Sequence, residues 1–107
     1  MIIEFADEDL RLFVETRNAQ KTLYKRLRSN NTFMRDLLKV FTILRMVNNV
    51  DELAKYSALR YEKLKYDYSG CSSVRIGFTS KYRLIFSEHD GGIKILIIQI
   101  SEHYGDK

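Results

Sequence analysis

Proline is absent from this chain, and glycine, at five of 107 residues, is sparse. That composition argues against Pro- or Gly-rich linkers and disordered tails. A single cysteine, Cys71, rules out an intrachain disulfide and a Cys-rich zinc site. Two histidines, His89 and His103, lie far apart with no repeated carboxylate spacing, so no metal ligand set is expected and no cofactor is implied. No apolar run approaches the length of a membrane span, and no basic-then-apolar leader opens the chain. A cytoplasmic protein with no membrane partner is therefore expected. One domain spanning residues 1–107 is expected too, long enough to bury a core without staples.

What is present is an ordinary apolar share, 45%, and a mild basic excess, 18 Lys and Arg against 14 Asp and Glu. The excess is unevenly distributed. Between Glu15 and Asp36 there is no acid, while Arg17, Lys21, Lys25, Arg26, Arg28 and Arg35 occur there. A second group, Arg60, Lys63 and Lys65, precedes the last strand-like runs. Such clusters attract a phosphate backbone or an acidic protein, and composition alone does not choose between them.

Read in order, residues 1–5 are β-branched and short, as in an opening strand. Asp7 is suited to cap a helix carrying Leu10, Phe13 and Val14 at helical spacing. Residues 17–31 are weakly periodic and fit either a helix or an irregular connection. The clearest helix spans residues 32–48, with Phe33, Leu37, Val40, Phe41, Leu44 and Val47 on one stripe. Asn30, Asn31 or Thr32 suits its start, and Asn48-Asn49 suits a left-handed stop. Asp51 can cap a short helix over residues 51–56, and residues 57–70 read as a charged, aromatic loop. Residues 74–78 and 82–87 alternate as strands do, Asp90-Gly91 signals a two-residue hairpin turn, and residues 93–100 read as a strand covered on both faces. The fold class is α+β, with an N-terminal strand and helices packed on one face of an antiparallel sheet.

A register follows from those turns. Centring the turn on Asp90-Gly91 sets Arg83 opposite Ile98, and pairing Phe78 with Tyr82 sets Arg83 opposite Gly77. One face then carries Val74, Ile76, Phe78, Tyr82, Leu84, Phe86, Ile95 and Ile97 and meets the helices. The other carries Arg75, Gly77, Arg83, Ile85, Ile98, Ile100 and, if the strand continues, Tyr104, with Gly77 leaving room for a ligand. His103 has the wrong parity for that face. Glu62, Arg75, Arg83, His103 and Tyr104 are residue types that can cut RNA without a metal: a base, cations for the phosphorane and an acid. Solvated surface charge is the competing account of each. His89 beside the turn reads as a turn residue and Cys71 as inert.

At these residues the chain resembles the RelE/ParE superfamily of toxins, the toxin half of bacterial type II toxin–antitoxin pairs. The motifs that carry the resemblance are Glu62-Lys63-Leu64-Lys65, Ser73-Val74-Arg75-Ile76, Lys81-Tyr82-Arg83-Leu84-Ile85-Phe86 and the final Ser101-Glu102-His103-Tyr104-Gly105-Asp106. The HigB-like branch is the nearest in its ending, and the His-Tyr pair with an upstream carboxylate is similar to YoeB toxins. The resemblance implies a RelE-like fold and a ribosome-dependent messenger-RNA endonuclease that inhibits translation. It implies Glu62 as general base, Arg83 as phosphate ligand, His103 as general acid and Tyr104 as the terminal tyrosine. Arg75, Lys63, Lys65 and Arg60 are the expected RNA contacts. The implied partners are the ribosome, messenger RNA and a cognate antitoxin of helix-turn-helix, HigA-like type, with operator DNA reached only through that antitoxin. Two alternatives stay open: a ParE-like inhibitor of DNA gyrase that is no nuclease, and a toxin-shaped partner of an antitoxin that no longer cuts.

Overall fold

The last two strands form the centre of the sheet, and the first strand joins them from across the chain. The computed structural model describes residues 1–78 and 80–102. Strands β1 (Ile2–Phe5), β2 (Glu62–Lys63), β3 (Cys71–Arg75), β4 (Arg83–His89) and β5 (Lys94–Ser101) form one sheet in the order β1-β5-β4-β3-β2. β1 runs parallel to β5, and every other neighbouring pair is antiparallel. The sheet is thus mixed rather than wholly antiparallel. Helices α1 (Glu8–Thr16), α2 (Thr22–Leu27) and α3 (Asn31–Met46) connect β1 to the later strands and pack on one face.

The helices begin where polar side chains satisfy their orphan amides. The Asp7 carboxylate accepts from the Asp9 amide at 3.0 Å and caps α1. Asp9 in turn accepts from the Gln20 and Lys21 amides at 2.7 and 3.0 Å, tying the start of α2 to the first turn of α1. The stretch that sequence periodicity left undecided is therefore a six-residue helix. Its Tyr24 ring stacks on Phe13 at 5.0 Å. Asn30 caps α3 by accepting from the Phe33 amide at 3.0 Å.

Helix α3 buries Phe33, Met34, Leu37, Val40, Phe41 and Leu44, the stripe expected of it. Its stop is different. The chain leaves through Val47 in extended conformation, and neither Asn48 nor Asn49 takes a positive φ. The exit is extended because the next turn, a 3-10 helix at Val50–Lys55, must bring Val50 and Leu53 into the core. From the sheet, Val74, Ile76, Leu84, Phe86, Ile95, Ile97 and Ile100 meet the helices in one buried cluster. Each such side chain contributes about 1.5–3 kcal/mol on burial.

Several expectations about the sheet are corrected. The Asp90-Gly91 turn is not a two-residue hairpin: Asp90–Gly92 forms a 3-10 turn, and His89 pairs with Lys94. A bulge between Ile85 and Phe86 then shifts the β4–β5 register, so that Arg83 faces Ser101 rather than Ile98 and Ile100 turns into the core. The β3–β4 pairing is offset by two residues, setting Arg83 opposite Arg75 rather than Gly77. That even offset keeps Arg83 on its expected face, but β3 ends at Arg75 and Phe78 is 77% exposed, not core. Gly77, at φ +83, sits tight against the Asp36 carboxylate of α3, so the space beside its Cα is taken by that side chain rather than left open above the other face. Finally, Glu62 lies in β2, paired with Ser73, not in a loop.

Removing the α3 cap tests the helix layer. Asn30→Ala is expected to lower unfolding free energy by about 1 kcal/mol, read as a shift in the denaturant midpoint with the slope unchanged.

Candidate functional site

Strand β4 has Arg83, Leu84, Ile85 and Phe86 buried in succession, so both faces of the sheet are covered there. Leu84 and Phe86 face the helices. Arg83 and Ile85 face the other way, where Ile85 is fully buried without joining the helix-side cluster. Part of that cover comes from the second of the two short 3-10 turns flanking β2, Tyr66–Tyr68, while Leu59 of the first turn joins the helix-side core. The Gln99 amide donates to the Tyr68 hydroxyl at 2.9 Å, which holds the second turn against β5.

Arg83 is 6% exposed. A cation so deeply buried requires charge and hydrogen-bond partners. Its Nε donates to the Ser73 hydroxyl at 2.7 Å, and its Nη2 donates to the Arg60 carbonyl at 2.5 Å. The same Nη2 lies 3.3 Å from a Glu62 carboxylate oxygen, and the Glu62 side chain is 42% exposed. A buried guanidinium and a solvent-reached carboxylate therefore meet on the face away from the helices. Arg75, opposite Arg83 on that face, is half-buried and lines a cleft of about 240 Å³ with Asp36, Lys39, Leu59 and Phe78.

The other expected site residues are arranged less simply. Arg60 meets Arg83 through its carbonyl oxygen, while its own side chain is exposed. Lys63 pairs with Ser72 and so points to the opposite side of β2 from Glu62. Lys65 is exposed beyond the strand. His103 and Tyr104 lie outside the described residues. His89 ends β4, where its Nε2 lies 2.8 Å from the Ser87 hydroxyl, in keeping with a turn residue.

A second cluster was missed by the sequence reading. On the helix side of the same three strands, Glu88 accepts from the Tyr61 hydroxyl and, at 2.6 Å, from the Ser72 hydroxyl. The Tyr61 ring stacks on Phe86 with centroids 6.3 Å apart. Burial first, and then the bond to Glu88, push the Tyr61 hydroxyl up to about 12. Two signals for this network were available. Ser72 and Ser73 are consecutive polar residues within a strand, and Glu88 shares the parity of Leu84 and Phe86. Polar groups at core-facing positions need partners.

No family model and no curated protein matches the sequence. Solved structures do match the fold. A YoeB/ParE toxin from Agrobacterium tumefaciens superposes with a TM-score of 0.56 at 17% identity, over 97% of this chain and 100% of that one. The YoeB–YefM complex from Staphylococcus aureus matches with a TM-score of 0.51 at 21% identity, covering 97% of this chain and 98% of that one. A heterotetrameric YoeB–YefM toxin–antitoxin complex from the same organism gives 0.50 at 21% identity, with coverage of 97% and 98%. At such identities the likeness is one of fold: this chain has the RelE/YoeB-like toxin fold.

Tyr61 makes the fold sensitive to alkali in a defined direction. Its folded value lies above the unfolded tyrosine value of about 10, so its stabilising contribution is complete below about pH 10 and is lost as pH rises toward about 12. Denaturant unfolding measured across that window is expected to show falling stability, with a shallower fall in Tyr61→Phe.

Proposed function

We propose that this chain is the toxin of a bacterial type II toxin–antitoxin pair and that it cuts messenger RNA on the ribosome. The observation that carries this reading is the contact between Arg83 and Glu62 on the open face of a sheet folded like that of the YoeB/ParE toxins. The HigB-like ending and the His-Tyr pair noted in the sequence support the same class.

The chemistry assigns each group a role that the others leave open. Glu62, exposed enough to meet a substrate, takes the proton from the 2′-hydroxyl. The freed oxygen attacks phosphorus, the bond to the 5′-oxygen breaks, and His103 returns a proton to that oxygen. The products are a 2′,3′-cyclic phosphate and a 5′-hydroxyl. Arg83 and Arg75 balance the charge that builds on the phosphorane, and the planar fork of Arg83 suits two of its oxygens. Because Arg83 is buried, a phosphate reaches it by taking the place of Glu62 or of the Arg60 carbonyl. That exchange releases the Glu62 carboxylate at the moment a base is needed. Tyr104 stacks on a base, and the exposed Arg60 and Lys65 meet the RNA backbone.

A second surface suits the antitoxin. Between α1 and α3 runs a groove of about 400 Å³ whose lining includes Val14, Leu38 and Phe41 together with Arg17, Arg35 and Arg45. An apolar floor with exposed arginines fits an acidic amphipathic segment, here of a helix-turn-helix, HigA-like antitoxin. The YoeB–YefM complexes of the same fold support a cognate antitoxin as partner.

Expressed in a bacterium, the chain is expected to stop translation and leave cleaved messages, mapped by primer extension. Glu62→Gln and His103→Ala, each removing one acid–base group worth about 10²–10⁴-fold, are expected to restore growth with messages intact. Halted growth over intact messages, with loss of gyrase supercoiling, selects the ParE-like reading instead. For the groove, joint Arg17→Glu, Arg35→Glu and Arg45→Glu substitution is expected to slow association with an acidic amphipathic helical peptide and flatten its salt dependence.

A further inference from the structure

Strand β2 is two residues long and is held to β3 by two ladder pairs, Glu62 with Ser73 and Lys63 with Ser72. A strand this short has little backbone pairing to fix it, and it lies at the edge of the sheet. Yet it carries Glu62, and Arg60, two positions before Glu62, supplies Arg83 with a carbonyl acceptor. Something else must hold residues 60–62 in place.

The candidate lies on the reverse side of the same strands. Tyr61 sits between Arg60 and Glu62 in sequence and points the other way, stacking on Phe86 and donating to Glu88. Ser72, beside Ser73, likewise points the other way and donates to Glu88 at 2.6 Å. Two hubs on β4 therefore gather adjacent residues of the chain. On the open face Arg83 engages Glu62 and Ser73. On the helix face Glu88 engages Tyr61 and Ser72. The hubs are five residues apart, an odd spacing that puts them on opposite faces of one strand.

We propose that Tyr61, Ser72 and Glu88 are positioning residues: a clamp behind the sheet that sets the Arg60 carbonyl and the Glu62 carboxylate against Arg83. The clamp anchors the backbone on either side of the exchange described above. When a phosphate displaces Glu62 from Arg83, the carboxylate moves only as far as its own side chain allows, because Tyr61 fixes the adjoining peptide. The raised Tyr61 hydroxyl agrees with a buried donor committed to Glu88. The catalytic part of this inference rests on the nuclease reading, and the positional part does not.

The test uses the purified chain, with Tyr61→Phe, Ser72→Ala, Glu88→Gln and Glu88→Leu. Tyr61→Phe keeps the ring on Phe86 and deletes only the hydroxyl. Glu88→Gln keeps an oxygen that accepts from both hydroxyls and is the conservative rescue. Hydrogen exchange of the Arg83 guanidinium protons is read by nitrogen-15 NMR, with circular dichroism confirming the fold. Exchange is expected to rise several-fold in Tyr61→Phe, Ser72→Ala and Glu88→Leu and to stay near wild type in Glu88→Gln. In RNA cleavage, kcat is expected to fall about 10- to 100-fold for Tyr61→Phe, with KM unchanged. Should Glu88→Leu fail to fold, Tyr61→Phe alone decides. Wild-type exchange at Arg83 in folded Tyr61→Phe overturns the proposal. Altered exchange in a chain whose wild type cuts no messenger RNA when ribosomes are supplied upholds the clamp and overturns the nuclease reading.

Discussion

The structure depends most on one buried cation. Arg83 sits at the start of a central strand with almost no solvent contact. Moving a guanidinium out of water costs several kcal/mol unless its donors are met. Those donors decide what surrounds it. Ser73 supplies a hydroxyl within β3, where a strand would otherwise favour an apolar or β-branched side chain. The chain doubles back so that the Arg60 carbonyl and Glu62 close over the guanidinium. Edge strand β2 lies within that closure. It is a two-residue segment flanked by positive-φ residues at Arg60 and Tyr66, a conformation that tertiary contacts rather than local preference must hold.

The elements that were legible in the sequence are those whose pattern repeats. The apolar stripe of α3 and the alternation in β4 follow from helical and strand periods, and both carry the residues expected in the core. Register was not legible, because it depends on counting residues through turns. A turn lengthened by Gly92 and Ile93 and a one-residue bulge together moved the partner of Arg83 by three positions along β5. On β3 the error was two positions, and an even slip leaves faces unchanged. So Arg75 and Arg83 still share a face although neither partner was assigned correctly. Glu62 was hidden for another reason. A stretch as charged as Arg60-Tyr61-Glu62-Lys63 has no strand signal of its own and becomes a strand only through its pairing with Ser72 and Ser73 of β3.

The run of basic residues between Glu15 and Asp36 also divides once folded. Lys21 is committed to Asp7 at 2.5 Å, and the bond to Lys21 draws the Asp7 carboxyl below its ordinary value. Arg17 and Arg35 line the groove beside α3, joined there by Arg45 from outside the run. Linear clustering of charge therefore overstated a continuous surface. What the fold assembles is a smaller set of arginines around apolar residues, a combination that distinguishes a protein partner from a bare phosphate backbone more sharply than net charge does.

The parallel pairing of β1 with β5 has a consequence for folding. Among the described residues β1 finds its ladder partner in β5, from the far side of the helical layer and the meander. Residues 2–5 must wait with unsatisfied backbone groups for residues 94–97, separated from them by the whole helical layer. The antiparallel β3–β4–β5 meander, built from short-range turns, is the piece able to form first, and β1 is added to a finished edge. Until then neither the core nor the surroundings of Arg83 are complete. In a chain of this topology the sheet closes late, because its parallel edge joins segments separated by the helical layer and the meander together.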